Sequence, residues 1–476
     1  MLSNKSLILI CMLILASALS AWSITDTYFG NYYPTFDARS FAMGGAGLFN
    51  SKSAFGIADN PANLTLMRKT LGFSVNTYLN RNEDNRSIPL YNSFDNYIDD
   101  SVYSSNINTF DNYALSAFFA HRFGERGLGL GFYYKPVSNF DAAYEEEVRN
   151  NRNTDNDVYP EKIAVNKIDN EGSLNKTAFV TSFAYGLSDY VDLNLGIEYA
   201  LLKGDINQEK TIRWTDWAIS QVDEDHHLPD LTAINDYELS GEQFKIGASA
   251  LLGTRIGLAA TFTLGTILDK KGTEYYKRDA YLNTAMDSTY ISVNEDYKLP
   301  SQVRFGFVYT PRNVVRTEFN MDVEYVAYSE INKRYDDVVN FYAGVEHQVV
   351  NFLPLRLGFQ AVNNWYFTTE EGIDENNNPI TLYHTSKILT PMFTGGSSIK
   401  IMDNLKLDLG FGYTWREYEA LDMFTDTYYN DKIYTGSSTY VLWPNSHITL
   451  TDRGWENPDK VRENNISLNA GLNFTW

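Results

Sequence analysis

The sequence predicts an all-β protein: a 14-stranded antiparallel transmembrane β-barrel with an N-terminal plug, or hatch, in its lumen. Three observations carry this. Segments of about ten residues alternate apolar and polar side chains along the chain, as lipid-facing strands must. The connections between them alternate short and long. Beyond the N-terminus no apolar run reaches the length of a spanning helix, so a membrane location requires a closed barrel.

Residues 1–21 read as an export signal. Lys5 gives a positive start, Leu7 to Leu15 is an uncharged apolar run, and Ala16, Ser17, Ala18, Ser20 and Ala21 supply small residues for cleavage. Cys11, the only cysteine, falls inside this stretch. Ile10 stands before it, where a lipoprotein signal wants a small residue. The exported chain is therefore expected to lack disulfides and to depend on its core or on closed hydrogen bonding.

The formal charge is −21, and the acids are spread through the connections. No basic patch is available to neutralise phosphates, so nucleic acid is not an expected partner. Aromatic residues make up 15% of the chain, with 34 Tyr. That composition suits a barrel with aromatic girdles and a polar lumen. A soluble secreted β-protein could share it, and the connections separate the two readings.

Fourteen strands are expected near 69–79, 112–123, 127–136, 177–187, 191–202, 242–252, 254–267, 301–311, 315–328, 337–349, 353–363, 391–401, 404–416 and 464–476. Leu193, Leu195, Ile197, Tyr199 and Leu201 show the pattern, as do Leu405, Leu407, Leu409, Phe411, Tyr413 and Trp415. Short links fall at Gly124–Arg126, Ser188–Tyr190, Gly253, Arg312–Val314, Val350–Phe352 and Met402–Asp403. Long polar links fall at 80–111, 137–176, 203–241, 268–300, 364–390 and 417–463, with 329–336 on the long side. Outer-membrane barrels sort their turns this way, short ones periplasmic and long ones extracellular. A soluble sandwich has no reason to. Trp476 closes the apolar face of the last strand, as expected of a signal for the barrel-assembly machinery.

Residues 22–67 precede the barrel, 68–476. They hold Gly44, Gly45 and Gly47, then Asn60, Pro61 and Ala62. The glycines allow close-packed backbone, and Asn-Pro-Ala opens a turn or a short helix. The spacing is not a dinucleotide fingerprint. The small-residue content points to a compact piece inside the barrel rather than a loose tail.

These stretches carry a resemblance. "ARSFAMGGAG" (38–47) followed by "DNPANL" (59–64) resembles the N-terminal hatch of the long-chain fatty acid transporter family, the FadL or aromatic hydrocarbon transport type. "LPSQVRFGFVYTP" (299–311), "FNMDVEYVAYS" (319–329) and "YAGVEHQVVNFLPLRLGF" (342–359) resemble later strands of that family, with His347 in place of a usual Tyr. "GLGLGFYYKP" (127–136) resembles its third strand, with Val137 and Ser138 in place of Phe-Gly. The resemblance implies passive uptake of a hydrophobic small molecule, a fatty acid or an aromatic hydrocarbon, across a bacterial outer membrane. It also implies a hatch moving around Gly44–Gly47 and Asn60–Ala62, and a kink in the third strand near Gly127, Gly129, Gly131 and Pro136 that opens sideways into lipid. A sibling group of such barrels serves type IX protein secretion and is the alternative reading.

The lumen faces are legible opposite the lipid-facing residues. They carry Glu198, Lys245, Arg304, Asp322, Glu324, Glu346, Arg356, Lys400, Lys406 and Asp408. Arg304 with Asp322, and Glu346 with Arg356, are expected to face each other across hairpins centred on Asn313 and Asn351, where opposed charges favour pairing. They hold the lumen closed and anchor the plug, or they meet an anionic head group. Gly127, Gly129 and Gly131 make room for the plug or mark a bend.

No catalytic set is expected. The histidines His121, His226, His227, His347, His384 and His447 sit in no metal-protease or nucleophile-elbow pattern. His226 and His227 lie in an acidic run, read as a solvated loop. The Asp/Asn-rich stretches 83–85, 154–157 and 374–378 lack calcium-loop spacing. No cofactor and no metal are expected, and the chain is expected to be a monomer in contact with outer-membrane lipid.

Overall fold

The computed structural model describes residues 28–91, 94, 96–149, 162–188, 190–220, 230–278, 287–312, 316–350, 353–373, 379–421, 423–424, 439–441, 449–451 and 459–476. The expected export signal, the acidic run with His226 and His227, His447, and the stretches 154–157 and 374–378 lie outside them. No helix among the described residues is long and apolar enough to cross a membrane; the crossing is made by strands.

Fourteen strands form the wall: β1 (Leu71–Tyr91), β2 (Tyr97–Phe123), β3 (Arg126–Asn139), β4 (Lys162–Ser188), β5 (Val191–Trp214), β6 (Leu231–Leu252), β7 (Ile256–Thr263), β8 (Gln302–Tyr309), β9 (Thr317–Val326), β10 (Val338–Val350), β11 (Leu353–Ile373), β12 (Pro379–Met402), β13 (Leu405–Ala420) and β14 (Asp459–Thr475). Each is antiparallel to its neighbours. β1 and β14 close the cylinder in continuous register from Gly72↔Thr475 to Ser87↔Lys460. The expected barrel is therefore present, with its edges removed by closure.

Side-chain alternation explains the wall. On β1, Phe73 and Val75 are exposed while Ser74 and Asn76 are buried; on β8, Phe305 and Phe307 are exposed while Arg304 is buried. Exposed Leu128, Leu130, Leu195, Ile197, Phe319, Met321, Leu355, Leu357 and Phe411 continue the band. An apolar belt of this extent needs lipid around it.

The strands run further than the sequence predicts. β2 and β4 have 27 residues each, about 90 Å of extended chain, where 9–11 residues suffice to cross. Much of the expected link 80–111 is ladder, because β1 continues to Tyr91 and β2 returns from Tyr97. The links 203–241 and 364–390 are likewise paired over most of their length. After Leu264 and Gly265, the strand Thr266–Arg278 pairs with β6 and with Asp287–Leu299. Beyond the apolar belt both faces of a strand can be polar, so the ladder persists where the hydrophobic period vanishes.

Residues 33–67 lie against the inward faces of the strands, and most are buried. They form three short turns of helix: α1 (Ala38–Phe41), a 3-10 turn at Ala54–Ile57 and α2 (Asn63–Leu66). Asp37 caps α1, accepting from the Ser40 backbone N–H at 3.0 Å, and also accepts from Asn50 Nδ2 at 2.9 Å and Ser53 Oγ. Phe36, Phe41, Phe55, Ile57 and Leu64 form one apolar cluster with Tyr78, Phe118 and Tyr133 of the wall.

Candidate functional site

The N-terminal segment meets the wall where the wall has no side chains. A Cβ on Gly196 would lie 2.4 Å from the Pro61 carbonyl carbon, one on Gly247 2.1 Å from Asn60 Oδ1, and one on Gly344 2.4 Å from Met43. Gly44 takes φ +68°, so it tolerates a side chain poorly on conformational grounds as well. The sequence-predicted Gly44–Gly47 and Asn60–Ala62 are thus both at backbone contact with the barrel. Asn60 also folds its own turn, accepting from the Ala62 N–H at 3.0 Å and donating to Ser249 Oγ at 3.0 Å.

Charge fixes the same segment. Arg39 donates to Glu318 at 2.7 Å and to Glu346 at 3.0 Å; Lys52 reaches both acids at 2.6 Å. Glu346 also holds Arg356 at 2.8 Å, and Arg356 holds Asp408 at 2.9 Å. Burial alone would lower the Arg39 pKa, but Glu346 and Glu318 hold it well above its ordinary value. Glu346 and Arg356 stand directly opposite, as the sequence predicts. Arg304 stands opposite Glu324, not Asp322, because the β8–β9 register centres one residue later than Asn313. Its guanidinium still reaches diagonally to Asp322 at 2.8 Å and donates to the Gly45 carbonyl at 2.6 Å. Asp322 accepts from the Gly47 and Leu48 N–H groups at 2.9 and 3.0 Å. Glu324 accepts from Tyr342 Oη at 2.7 Å. Lys400, expected in the lumen, is half exposed at a short turn and pairs with Asp403 at 2.7 Å.

Beside the segment lies a cavity lined by Lys135, Lys176, Gln243, Lys245, Arg304, Asp59 and Glu324, with Phe29, Val137, Leu299, Pro300 and Tyr328 as its apolar part. Lys245 donates to the Ala58 carbonyl at 2.8 Å and pairs with Glu198 at 3.2 Å. Lys176 lies 3.4 Å from Glu198 and donates to Gln243 at 2.5 Å. Lys135 is 8% exposed and has no hydrogen-bond partner among the described residues. Burial pushes the Asp59 carboxyl up to about 6, even against Lys135 and Arg304.

The wall changes next to this cavity. β2 and β3 pair from Phe123↔Arg126 to Leu115↔Tyr134 and no further. Pairing of β3 with β4 slips between Pro136 and Ser138. The end of β3 pairs instead with Asn31 and Tyr32 of the N-terminal segment. Gly127, Gly129 and Gly131 lie in the regular part; Gly129 and Gly131 make room for Leu64. The interruption follows them, at Lys135–Ser138. Above it, β2 reaches the strand Ala142–Arg149 through side chains: Asn108 donates to the Ala143 carbonyl at 2.8 Å and accepts from its N–H at 2.7 Å.

Sequence reasoning missed Arg39, Lys52, Glu318, Lys135 and Lys176. Lys135 was within reach, since it is in phase with the inward Gly129, Gly131 and Tyr133. Among the described residues no group of three His, Cys, Asp or Glu is placed to hold a metal ion.

No protein-family model matches the chain, and no curated protein matches it. Solved structures do. A Pseudomonas aeruginosa FadL homologue aligns at TM-score 0.53 and 11% identity over 94% of this chain and 99% of its own. The P. putida toluene transporter TodX aligns at 0.54 and 11% over 95% and 99%. The Ralstonia pickettii toluene transporter TbuX aligns at 0.50 and 13% over 93% and 99%. The chain therefore has the fold of the FadL- and TodX-type barrels, fourteen antiparallel strands closed into a cylinder.

Proposed function

We propose that the chain is an outer-membrane channel for passive uptake of hydrophobic compounds, and that it favours those with an anionic head, such as long-chain carboxylates. The carrying observation is Lys135: a buried ammonium with no hydrogen-bond partner among the described residues, facing a cavity with an apolar side. A buried cation without a partner is costly. A carboxylate would satisfy it through a charge-assisted bond, while Phe29, Val137 and Leu299 receive the first carbons of the chain. The fold shared with structures described as toluene transporters supports the hydrophobic-uptake reading.

The way out is sideways, through the interruption between β2 and β3 at Lys135–Ser138, into lipid. The part of the hatch that gives way is Asn31–Tyr32, which substitutes for β2 beside that interruption. Gly44–Gly47 and Asn60–Ala62 stay wedged against the wall. Uptake of labelled dodecanoate into vesicles carrying the protein tests this. The protein raises uptake above that of empty vesicles, and Lys135→Gln weakens dodecanoate binding about tenfold while dodecanol binding is unchanged. Equal uptake by empty vesicles contradicts the channel; equal loss of both ligands contradicts the head-group role.

A further inference from the structure

We propose that the short-turn rim of the barrel binds anionic phospholipid head groups, an inference that rests only on the barrel crossing a membrane and not on what it conducts. The chain carries −21 overall, yet this rim is basic. Lys69 precedes β1, Arg126 opens β3, Arg255 lies between β6 and β7, and Arg312 and Arg316 flank the link between β8 and β9. Arg255 is half-buried and the other four are exposed. Among the described residues none of the five has a side-chain partner. Of the acids described at this rim, Asp192 pairs with Arg68 and Arg122 and Asp403 with Lys400, and exposed Glu125 beside Arg126 still leaves the balance basic.

Position favours lipid. Leu71 follows Lys69 by two residues, Leu128 follows Arg126 by two, and Leu258 follows Arg255 by three; all three apolar residues are exposed on the outer wall. That spacing places each charge about 7–10 Å beyond the apolar belt, at the depth of lipid phosphates, and the long stems adjust the reach. Phe123, Tyr190 and Trp476 are exposed at the same rim, as aromatic residues are at a membrane interface. Arg255, Arg312 and Arg316 sit on neighbouring turns, while Lys69 and Arg126 lie several strands away. A single protein partner would meet one of these groups; a leaflet of head groups meets all of them.

Spin-labelled phosphatidylglycerol and phosphatidylcholine, compared in phosphatidylcholine vesicles carrying the protein, test the proposal. The expected result is an association preference for phosphatidylglycerol of about two- to fivefold at low salt, falling toward one at 1 M NaCl, where screening is short-ranged. The variant with Gln at positions 69, 126, 255, 312 and 316 loses the preference while keeping its strand content. Should that variant not fold, R312Q/R316Q lowers the preference in part. Equal association of the two lipids with the parent overturns the proposal, as does a preference that the folded variants leave unchanged.

Discussion

Gly358 of β11 meets Gly44 of the N-terminal segment backbone to backbone: a Cβ on Gly358 would lie 2.0 Å from the Gly44 nitrogen. That nitrogen also donates to Thr394 Oγ1 at 2.8 Å. Gly358→Ala therefore has to push the segment off the wall. Overpacking of this kind costs about 1–3 kcal/mol. The heat-induced gel shift of the folded barrel moves to lower temperature, and protease cuts within 33–67 sooner. Unchanged protection of that segment contradicts the wedged arrangement.

Glu346 is shared by Arg39, Lys52 and Arg356. Glu346→Gln leaves buried guanidinium groups short of charge, and breaking such a set on one side costs about 3–5 kcal/mol. Lys52 is 38% exposed, so Lys52→Ala costs no more than about 1 kcal/mol. Denaturant unfolding of the two variants should separate them clearly. Equal losses would mean that the network is screened by water throughout.

Asp59 gives the cavity a pH dependence. Burial raises it to about 6, with Lys135, Arg304 and Lys245 pulling down and Asp37 pushing up. A carboxyl raised this way binds its proton more tightly folded than unfolded. Its contribution therefore favours the folded state as pH falls through 6, and is lost as pH rises. Neutralising it leaves the lysines more positive. Dodecyl sulfate, which stays ionised, should bind more tightly as pH drops from about 7.5 to 5.5, and Asp59→Asn should reduce that gain. A flat profile in the parent would remove Asp59 from the account.

Asn108 seals the wall above the interruption by gripping Ala143 with both ends of its amide. Two such bonds are worth roughly 1–3 kcal/mol. Asn108→Leu should speed hydrogen exchange at the Ala143 amide by about tenfold and leave the β1–β14 ladder protected. Unaltered exchange at Ala143 would show that other contacts hold this strand.

How much of this was legible depends on what each residue faces. Leu195, Ile197, Phe305 and Phe307 announce themselves because lipid demands an apolar face every second residue, so fourteen strands could be counted. The extensions 80–91 and 97–111 could not, since inward residues such as Asn80, Asn82, Asp84 and Asn108 are polar although buried, and the apolar period that marks a strand is missing. Glu346 and Arg356 were found from their equal distance to a turn, and Arg304 was misplaced when that centre was off by one residue. Glycines within a strand, such as Gly196, Gly247, Gly344 and Gly358, do not tell in sequence what packs against them. Only the fold shows that they lie opposite Asn60–Pro61 and Met43–Gly44. Lys135 lies just past the apolar stretch of β3, where the alternation was not followed.

A crystal structure with 12-bromododecanoate tests the central claim most directly. The account predicts bromine scattering along the apolar side of the cavity and a carboxylate within hydrogen-bond distance of Lys135 Nζ. A cavity holding only water at saturating ligand, or a carboxylate turned away from Lys135, would contradict it.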